Sequence, residues 1–398
     1  MPKLFQINVC VNLSTGKIAQ SIGEAALSHG WESWIAYSSR QANVPSLSQL
    51  IKVGSKFDSY SHYIENYLLD REGLGSKRAT HKLVEEIKRV KPDIVHLHNI
   101  HDHWLNYCIL FEYLNQTNIK VVWTFHDCWA FTGHCFHPVL KGCEKWKSQC
   151  EKCPLQKIDP VSFVDRSNYN FNLKKRLYLG NRNLTIVPCS NWLEGFVNDS
   201  FFKGSNIQVI HNGIDLDVFK PLEAINKKQS TRFKVLGVSN VWCREKGLED
   251  VYRLREILPE TYEITLVGLT YEQIKMMPKG INAIPRTQNV EQLVELYSTS
   301  DVFINPTYAD TFPTVNIESI ACGLPVVTYQ TGGSPEIIDD RTGIVVEQGN
   351  IKEMANAIIK LKNYPLDRYA CRNRAVSLFD KNVQFDKYIS LYNELLSR

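Results

Sequence analysis

The sequence lacks any hydrophobic run long enough to cross a membrane. No apolar stretch approaches the ~18–20 residues that a helix needs to span a bilayer. The amino-terminal residues also lack a charged region followed by a clean apolar stretch, so we expect no signal peptide. Together, these two absences predict a cytoplasmic protein.

A strong charge of either sign is also missing, as are low-complexity tracts and solenoid-type repeats. Lysine and arginine total 46 and aspartate and glutamate 42, which gives a net charge of +4. Because this balance is so mild, we expect no nucleic-acid partner. The hydrophobic content of 43% is typical of a globular protein, and 398 residues are too many for one ordinary core. Two domains are therefore expected.

The chain has 11 cysteines, whereas a scaffold of disulfide bonds would favour an even number. In a chain expected in the cytoplasm, this number indicates free thiols or metal ligands. Five cysteines, four of them candidate metal ligands, lie in an insertion over residues 128–156, which has too few apolar residues to fold by itself. Two of the candidate ligands have the C-x-x-C spacing that brackets one tetrahedral ion. A structural zinc would supply the stability that the insertion lacks. Free thiols or a redox pair are the alternative. The candidate ligands are Cys135, Cys143, Cys150 and Cys153, with His134 and His137 as substitutes.

The chain does contain a regular alternation of short strand-like and helix-like segments. This pattern predicts an α/β fold with two doubly wound, Rossmann-like domains facing a central cleft. We expect the first domain over residues 1–220, the second over 221–378, and a final helix over 379–398 that crosses back onto the first domain, with the polar stretch 223–232 as the boundary. Strands are predicted over residues 4–11, 34–39, 93–99, 120–126, 184–190 and 207–212, and then over 233–239, 262–268, 281–285, 302–306, 325–330 and 343–346.

A turn, a helix and a strand follow one another from Asp310 onwards. Pro313 suits the first turn of a helix, Asp310 or Thr311 can cap it, and Gly323 is placed to end it. A helix start of this kind directs free N–H groups and a positive dipole end at phosphate, and Glu318 further along could reach ribose hydroxyls. The alternative is an ordinary buried helix with surface carboxylates.

Three other loops offer groups that suit phosphate. Arg244 and Lys246 follow the first strand of the second domain and can neutralise a diphosphate, whereas Gly332 and Gly333 precede a second helix start. The alternatives are a solvated basic loop and simple capping turns. The loop between the first strand and the first helix supplies a glycine, two hydroxyls and an ammonium group: Ser14, Thr15, Gly16 and Lys17.

Histidines mark the ends of two predicted strands. His126 and Asp127 end a hydrophobic run at the carboxyl end of a strand, where doubly wound domains place functional groups. His96 and His98 alternate along another strand and so share one face. We favour hydrogen-bonded histidines of the core or the cleft wall for this second pair, over metal ligands.

Taken together, these motifs resemble the retaining glycosyltransferases of family 4, which have the GT-B fold. The resemblance covers essentially the whole chain and is greatest to bacterial enzymes of exopolysaccharide, capsule or lipopolysaccharide assembly, including the colanic-acid type. It is carried by the Ser-Thr-Gly-Lys loop, the His-Asp-Cys-Trp-Ala-Phe-Thr-Gly-His-Cys run from His126 and the Phe-Pro-Thr-Val-Asn-Ile-Glu run from Phe312.

The resemblance implies that the second domain binds a nucleoside diphosphate sugar, in the UDP or GDP form. Lys246 matches the lysine on the diphosphate, Glu318 the glutamate on the ribose, His126 the histidine on the transferred sugar, and Gly16 the loop under the diphosphate. Arg286 would flank the base. Backbone that would hold phosphate and sugar oxygens comes from Phe312, Pro313, Thr314, Val315 and Asn316, next to Gly332 and Gly333.

Two positions depart from the family pattern. Asp310 stands where the first glutamate of the E-x7-E motif is usual, one methylene shorter. Asn240 or Val241 lies near the place of the usual arginine, and Arg244 is the candidate substitute. These departures leave the nucleotide base, the sugar, the acceptor and the linkage open.

The reaction implied by the resemblance is transfer of a glycosyl unit to a hydroxyl of a glycan or lipid-linked glycan with retained anomeric configuration. Without an obvious pair of nucleophilic carboxylates, the resemblance favours front-face attack, in which Lys246, Arg244 and helix N-termini stabilise the departing diphosphate. No catalytic metal is expected. The alternatives are a GT-B epimerase or phosphorylase and a catalytically weak nucleotide-sugar-binding protein.

A weaker pattern concerns the membrane. Residues 174–182 combine basic and apolar side chains, which would suit peripheral contact with anionic lipid at the inner face of the cytoplasmic membrane. A solvated helix is the alternative.

Overall fold

The computed structural model describes residues 1–40, 44–222 and 232–398, and the chain divides into two compact units. Unit 1 consists of Met1–His211 with Asn382–Arg398, and unit 2 of Asn212–Lys381. The predicted boundary stretch 223–232 lies, apart from Arg232, outside the described residues.

Unit 1 is built on a seven-stranded sheet in which all neighbouring strands run parallel, in the order β3-β2-β1-β4-β5-β6-β7. Most of its strands are buried on both faces, as expected for a parallel sheet covered by helices. The order reverses between β1 and β4, which makes this edge the topological switch point. The strands are β1 (Lys3–Ile7), β2 (Glu32–Ser38), β3 (Gln49–Val53), β4 (Ile94–Leu97), β5 (Lys120–Phe125), β6 (Leu184–Pro188) and β7 (Asn206–Ile207).

Six α-helices lie between these strands in the described residues of unit 1, and a seventh comes from the carboxyl-terminal segment. In α3 the predicted inward positions Leu83, Val84, Ile87 and Val90 are buried, which confirms the helical period seen in the sequence. The helices are α1 (Ser14–Ser28), α2 (Lys56–Leu69), α3 (Lys77–Val90), α4 (Tyr107–Leu114), α5 (Ser167–Leu179) and α6 (Asn191–Asp199).

The last helix, α14 (Lys381–Ser397), packs on the sheet of unit 1. Its predicted apolar face is buried, and two tyrosines on that face hydrogen-bond into the sheet. Tyr392 Oη lies 2.6 Å from His96 Nδ1, and Tyr388 Oη lies 2.9 Å from Thr124 Oγ1. Because His96 Nε2 also bonds to Thr124, at 2.8 Å, the prediction of a hydrogen-bonded core histidine is confirmed.

Unit 2 repeats the architecture with six parallel strands in the order β10-β9-β8-β11-β12-β13, so its switch point lies between β8 and β11. The predicted α/β fold with doubly wound parallel sheets is therefore confirmed for each unit. The strands are β8 (Phe233–Val238), β9 (Tyr262–Val267), β10 (Ile281–Ile284), β11 (Val302–Asn305), β12 (Val326–Tyr329) and β13 (Gly343–Val346). The helices are α7 (Leu248–Ile257), α8 (Tyr271–Lys275), α9 (Val290–Thr299), α10 (Thr314–Ala321), α11 (Ser334–Ile337), α12 (Ile351–Asn363) and α13 (Arg368–Leu378).

Several local predictions are wrong. Ser14, Thr15, Gly16 and Lys17 form the first turn of α1 rather than a loop. The strand predicted over 207–212 is reduced to the two residues of β7, whereas β3 and α2 were not predicted. Within the described ranges, no helix is both long and apolar enough to cross a membrane.

Candidate functional site

The best-defined candidate site of unit 2 lies at the switch point of its sheet, where the loops after β8, β11 and β12 meet. The loop after β8 ends at Gly247, whose φ is +75°, and a Cβ there would lie 2.1 Å from Pro306 O. Tyr308 N donates to Glu245 O at 2.8 Å. The carboxyl ends of parallel strands share one edge of a sheet, so the loops after β8 and β11 are neighbours. These two contacts hold the loops against each other.

An ion pair joins these two loops. Lys246 Nζ lies 2.8 Å from Asp310 Oδ2 and also donates to Ala309 O at 3.3 Å. Lys246 is the predicted diphosphate ligand, and Asp310 is the residue that departs from the family pattern. An ammonium group has three N–H donors, so these two contacts leave the third for a phosphate oxygen.

The third loop packs on the same aspartate. Gly332 has φ +52°, and a Cβ at this position would lie 1.7 Å from Asp310 O, so the close approach requires glycine. Gly333 N donates to Thr311 O at 3.0 Å. The two glycines therefore hold the Asp310 loop in place, and the N–H of Gly333 is already used within the protein.

The predicted cap of α10 is wrong. Pro313 is the N-cap, with φ −69° and ψ 108°, and no side chain caps the helix start. Asp310 is engaged elsewhere: its Oδ1 accepts from Phe312 N at 3.2 Å and its Oδ2 binds Lys246. A helix start without a side-chain cap retains N–H groups that suit an anion. The predicted end is confirmed, since Gly323 follows the helix with φ +74°.

Two polar residues of α10 have defined environments. Glu318 Oε2 accepts a hydrogen bond from Tyr297 Oη at 3.0 Å, which holds the predicted ribose ligand. Asn316 is fully buried, and its Oδ1 accepts from Asn305 Nδ2 at 2.9 Å. Its own Nδ2 has no hydrogen-bond partner among the described residues. Sequence reasoning missed Tyr297, because nothing links it to Glu318 before the fold is known.

The other predicted donor ligands are more exposed. Asn240 and Arg244 lie on the loop after β8, and Arg286 lies after β10, two strands away from β8. All three are exposed, whereas Phe312 and Pro313 are buried and Thr314 and Val315 are half-buried. The structure thus brings together Lys246, the Asp310 loop and α10.

In unit 1 a chain of imidazoles surrounds the predicted pair after β5. His126 Nε2 lies 3.2 Å from His98 Nδ1, and His98 Nε2 lies 3.1 Å from Gln6 Oε1. His101, which follows β4, places Nε2 2.8 Å from Asp127 Oδ2. Sequence reasoning did not identify His101 as the partner of Asp127, because only the pairing of β4 with β5 brings the two together.

Burial and charge set the protonation of this cluster. Burial lowers the pKa of His126 to about 4, so its imidazole is neutral at pH 7. Burial alone would raise the pKa of Asp127, but the charge and hydrogen bond of His101 lower it to about 2. Burial alone would lower the pKa of His101, but the charge and hydrogen bond of Asp127 raise it above its usual value. A neutral His126 therefore stands beside an ion pair.

The first turn of α1 follows β1 at the switch point of this sheet. Ser14 and Lys17 are exposed, whereas Gly16 is buried, and a Cβ there would lie 2.6 Å from the carbonyl carbon of Val11. Leu13 is the N-cap and makes no side-chain cap. Thr15 Oγ1 lies 3.2 Å from Asn8 Nδ2.

The four candidate zinc ligands line one small cavity of about 10 Å³ together with His134. All four are free thiols, namely Cys135, Cys143, Cys150 and Cys153. As their side chains stand, the described part of the chain contains no group of three or more His, Cys, Asp or Glu residues that could hold a metal ion. Zinc is therefore not confirmed.

Two family models match the chain. Residues 232–363 match the family described as "Glycosyl transferases group 1", and residues 19–218, about half of the chain, match "Glycosyltransferase Family 4". A putative colanic acid biosynthesis glycosyl transferase of Escherichia coli is 22% identical over 95% of this chain and 96% of its own length. An N,N'-diacetylbacillosaminyl-diphospho-undecaprenol alpha-1,3-N-acetylgalactosaminyltransferase of Campylobacter jejuni is 25% identical over 60% of this chain and 66% of its own length.

Solved structures show the same fold. Sucrose-phosphate synthase from Thermosynechococcus elongatus superposes with a TM-score of 0.76 at 18% identity, over 100% of both chains. The Anabaena protein HepE, solved in complex with UDP and glucose, superposes with a TM-score of 0.65 at 14% identity, over 99% of this chain and 100% of its own. These similarities confirm the GT-B fold.

The Asp127–His101 pair predicts a pH-dependent contribution to stability. Asp127→Asn removes the charge but keeps an oxygen for Trp129 N, which donates to Asp127 Oδ1 at 2.8 Å. The raised pKa of His101 means that the ion pair stabilises the fold fully below the unfolded value of 6.5 and less as the pH rises through the folded value. The lowered pKa of Asp127 means that this stabilisation is present above the unfolded value of 3.8 and disappears as the pH falls through about 2.

We therefore expect Asp127→Asn to lower the thermal unfolding midpoint by about 5 °C near pH 6, and by clearly less near pH 9. Thermal unfolding at the two pH values measures the difference, with Glu112→Gln, an exposed carboxylate of α4, as the control. An equal loss at both pH values would contradict the ion pair.

The close packing of Gly332 predicts a steric effect beyond backbone strain. The control is Gly280→Ala, also in unit 2, where an alanine in the left-handed conformation costs about the same 1–2 kcal/mol of backbone strain. Its Cβ would meet the flexible side chain of Arg255, at 3.1 Å from Cδ. We expect Gly332→Ala to lower the unfolding midpoint of unit 2 by a clearly greater amount than Gly280→Ala. Similar midpoints for the two variants would show that the Asp310 loop moves freely away from Gly332.

Proposed function

The chain belongs to glycosyltransferase family 4 and is a glycosyltransferase of the GT-B fold, and from this premise we propose that it transfers a sugar from a nucleoside diphosphate sugar to an acceptor hydroxyl with retained anomeric configuration. The observation that carries the proposal is the Lys246–Asp310 pair beside the start of α10, which has no side-chain cap. These groups lie on one unit together with the carboxylate of Glu318. The cation and the helix N–H groups would bind the phosphates of the donor, and the carboxylate would bind its ribose.

For the donor we propose the UDP form, with the GDP form as the alternative. The similarity in fold to a protein solved with UDP and glucose supports this choice. Lys246 and Arg244 would bind the diphosphate, and Glu318, held by Tyr297, would accept from ribose hydroxyls. Backbone N–H groups and Asn316 Nδ2 at the start of α10 would donate to phosphate or sugar oxygens.

In the reaction, the bond between the anomeric carbon and the diphosphate oxygen breaks while the acceptor oxygen attaches on the same face. The acceptor proton passes to the departing diphosphate oxygen. Lys246, Arg244 and the start of α10 stabilise the negative charge that develops there, a task for which fixed cations suffice. His126, neutral at pH 7, would hydrogen-bond the transferred sugar, and Asp127 would hold the position of its neighbouring loop through Trp129 N.

The names of two relatives support a proposal for the acceptor class. The Escherichia coli relative is named for colanic acid biosynthesis and the Campylobacter jejuni relative for a diphospho-undecaprenol acceptor. We therefore propose a glycan or lipid-linked glycan acceptor in the synthesis of a bacterial surface polysaccharide, at the inner face of the cytoplasmic membrane. A rival GT-B epimerase would convert the nucleotide sugar without an acceptor, and a weak nucleotide-sugar-binding protein would bind the donor without turning it over.

Lys246 is the side chain on which the proposal depends most. We expect Lys246→Ala to lower kcat/KM for release of the nucleoside diphosphate from the donor by about 100- to 1000-fold, because the developing phosphate charge loses its fixed cation. Lys352→Ala removes an exposed lysine of α12 and should leave the rate unchanged. A Lys246→Ala rate close to that of the wild type would refute the assigned role, and an inverted product anomer, seen by NMR, would refute retention.

We propose in addition that the cysteine cavity of unit 1 takes a structural zinc. The insertion over residues 128–156 contains only three short 3-10 turns, so few backbone ladders support it: Trp129–Phe131, Pro138–Lys141 and Lys145–Lys147. Small rotations of four thiols that already line one cavity would bring them onto a common ion. His134 is a substitute ligand, because it lines the same cavity and its Nδ1 is held 2.6 Å from the buried carboxylate of Asp70.

Metal analysis tests this second proposal. Protein purified without a histidine tag should contain about one zinc per chain, and Cys150→Ser combined with Cys153→Ser should lose it. Cys108→Ser, a half-buried cysteine of α4 outside the cavity, is the matched control and should keep the metal. A zinc content near zero in the wild-type protein would overturn the proposal.

A further inference from the structure

Two buried titratable side chains of unit 1, Lys174 and His98, are not used by the proposed reaction. The contacts of Lys174 are structural, because its Nζ donates to Trp129 O at 2.7 Å and to Thr132 O at 3.1 Å. Burial lowers the pKa of Lys174 to about 7. The lipid contact predicted over residues 174–182 is therefore wrong at its first residue, since α5 turns this lysine towards the protein.

His98 instead connects the candidate sugar ligand His126 to the first strand of the sheet. It directly follows β4 and is 2% exposed. Its Nδ1 lies 3.2 Å from His126 Nε2, and its Nε2 lies 3.1 Å from Oε1 of Gln6, which is part of β1. The planes of the two imidazoles are inclined by only 17° and their centroids are 5.5 Å apart, so the rings meet edge to edge. A hydrogen bond between ring nitrogens requires this arrangement.

The amide of Gln6 has a defined orientation. Gln6 is fully buried, and its Nε2 donates to Ala19 O of α1 at 2.8 Å. A carbonyl oxygen only accepts hydrogen bonds, so the amide nitrogen must face Ala19 and the amide oxygen must face His98. The reversed amide would bring two oxygens within 2.8 Å of each other and would leave buried polar groups unsatisfied.

The proton positions of both imidazoles follow from this orientation. His98 Nε2 faces an oxygen acceptor and therefore carries a proton. Burial lowers the pKa of His98 well below its usual value, so the ring is neutral and its Nδ1 has no proton. The hydrogen bond at this Nδ1 then needs a proton on His126 Nε2. Because His126 is also neutral at pH 7, its own Nδ1 carries no proton and can only accept.

We propose that Gln6 and His98 are positioning residues that fix His126 in the tautomer protonated on Nε2, and that they thereby make His126 Nδ1 a hydrogen-bond acceptor for the transferred sugar. An acceptor of this kind recognises a hydroxyl that donates to it. It does not recognise a carbonyl, a ring oxygen or a fluorine in the same place, because none of these donates. This inference rests on the proposed function and adds a rule for the specificity towards the sugar.

Nuclear magnetic resonance of the full-length protein, with ¹⁵N in its histidine rings, tests the tautomer without any ligand. Correlations between the ring nitrogens and the carbon-bound protons at pH 7 should show His126 as a single tautomer, with a protonated Nε2 and an unprotonated Nδ1. The loss of these signals from His126→Gln assigns them. A protonated Nδ1, or an even mixture of the two tautomers, would overturn the proposal.

A variant of Gln6 tests whether this residue sets the proton position. Gln6→Met removes the acceptor at His98 Nε2, so His126 should change from one tautomer to a mixture of two. The matched control is Gln384→Met, at a 3% exposed glutamine of α14 that accepts from Lys387 Nζ at 3.0 Å, and it should leave the His126 spectrum unchanged. An unchanged His126 in Gln6→Met would refute the assigned role of Gln6.

The kinetics of the same variant separate positioning from a general structural role. The apparent affinity of a ligand falls with the fraction of the protein that is competent to bind it. The donor affinity of Gln6→Met should therefore fall in step with the fraction of His126 that has changed its tautomer, whereas kcat at saturating donor should stay close to that of the wild type. A lower kcat at unchanged donor affinity would contradict the proposal.

Analogues of the UDP or GDP sugar that the wild type turns over test the specificity rule. At one hydroxyl position, replacement by hydrogen and replacement by fluorine should each weaken binding by about tenfold, because neither group donates. The loss should be much smaller in His126→Ala, which lacks the acceptor. Equilibrium binding is the measure, since fluorine also slows the transfer by destabilising positive charge on the sugar. Losses that are the same with and without the His126 side chain at every position would overturn the rule.

The two kinds of measurement separate a failure here from a failure of the proposed function. If the wild type turns over a donor but His126 Nδ1 is protonated, or no analogue depends on His126, only this inference is refuted. If the wild type neither binds nor turns over any UDP or GDP sugar, the proposed function is refuted and the specificity rule with it, whichever tautomer the spectrum shows.

Discussion

The ion pair between Lys246 and Asp310 is the contact on which the candidate donor site depends. It joins loops that follow two neighbouring strands of unit 2, and its geometry requires two glycines in left-handed conformations. Gly247 allows the lysine loop to touch Pro306 O, and Gly332 allows the next loop to touch Asp310 O. A carboxylate shorter than the usual glutamate is therefore compatible with a well-defined site, because here it positions the lysine.

Unit 1 combines a buried, neutral histidine with an ion pair of its own. The neutral His126 is a hydrogen-bonding group rather than a cation, because burial lowers its pKa to about 4, whereas the nearby Asp127–His101 pair carries the charges.

Local patterns predicted much of the fold. Helical periodicity identified α3 and α14 with their buried faces, and buried apolar runs identified strands in both sheets. Gly323 correctly indicated the end of α10. These predictions succeed because helical periodicity, strand periodicity and helix ends depend on residues that are close together in the sequence.

The errors arise where a contact spans many residues. Sequence patterns did not predict α2, a helix whose buried residues include His62 and Asn66 because polar partners from other segments meet them. Asp310 was predicted to cap α10, but Lys246, 64 residues earlier, binds it instead. The environments of Lys174 and Tyr297 could not be predicted either, because both depend on contacts with residues from other segments of the chain.

The most direct test of the central claim is a thermal-shift measurement with UDP, GDP, ADP and CDP, each with and without EDTA. The account predicts that UDP, or else GDP, raises the unfolding midpoint by the same amount in both conditions, because Lys246 and the start of α10 bind the diphosphate without a metal. Stabilisation that disappears with EDTA, or that no nucleoside diphosphate produces, would contradict it.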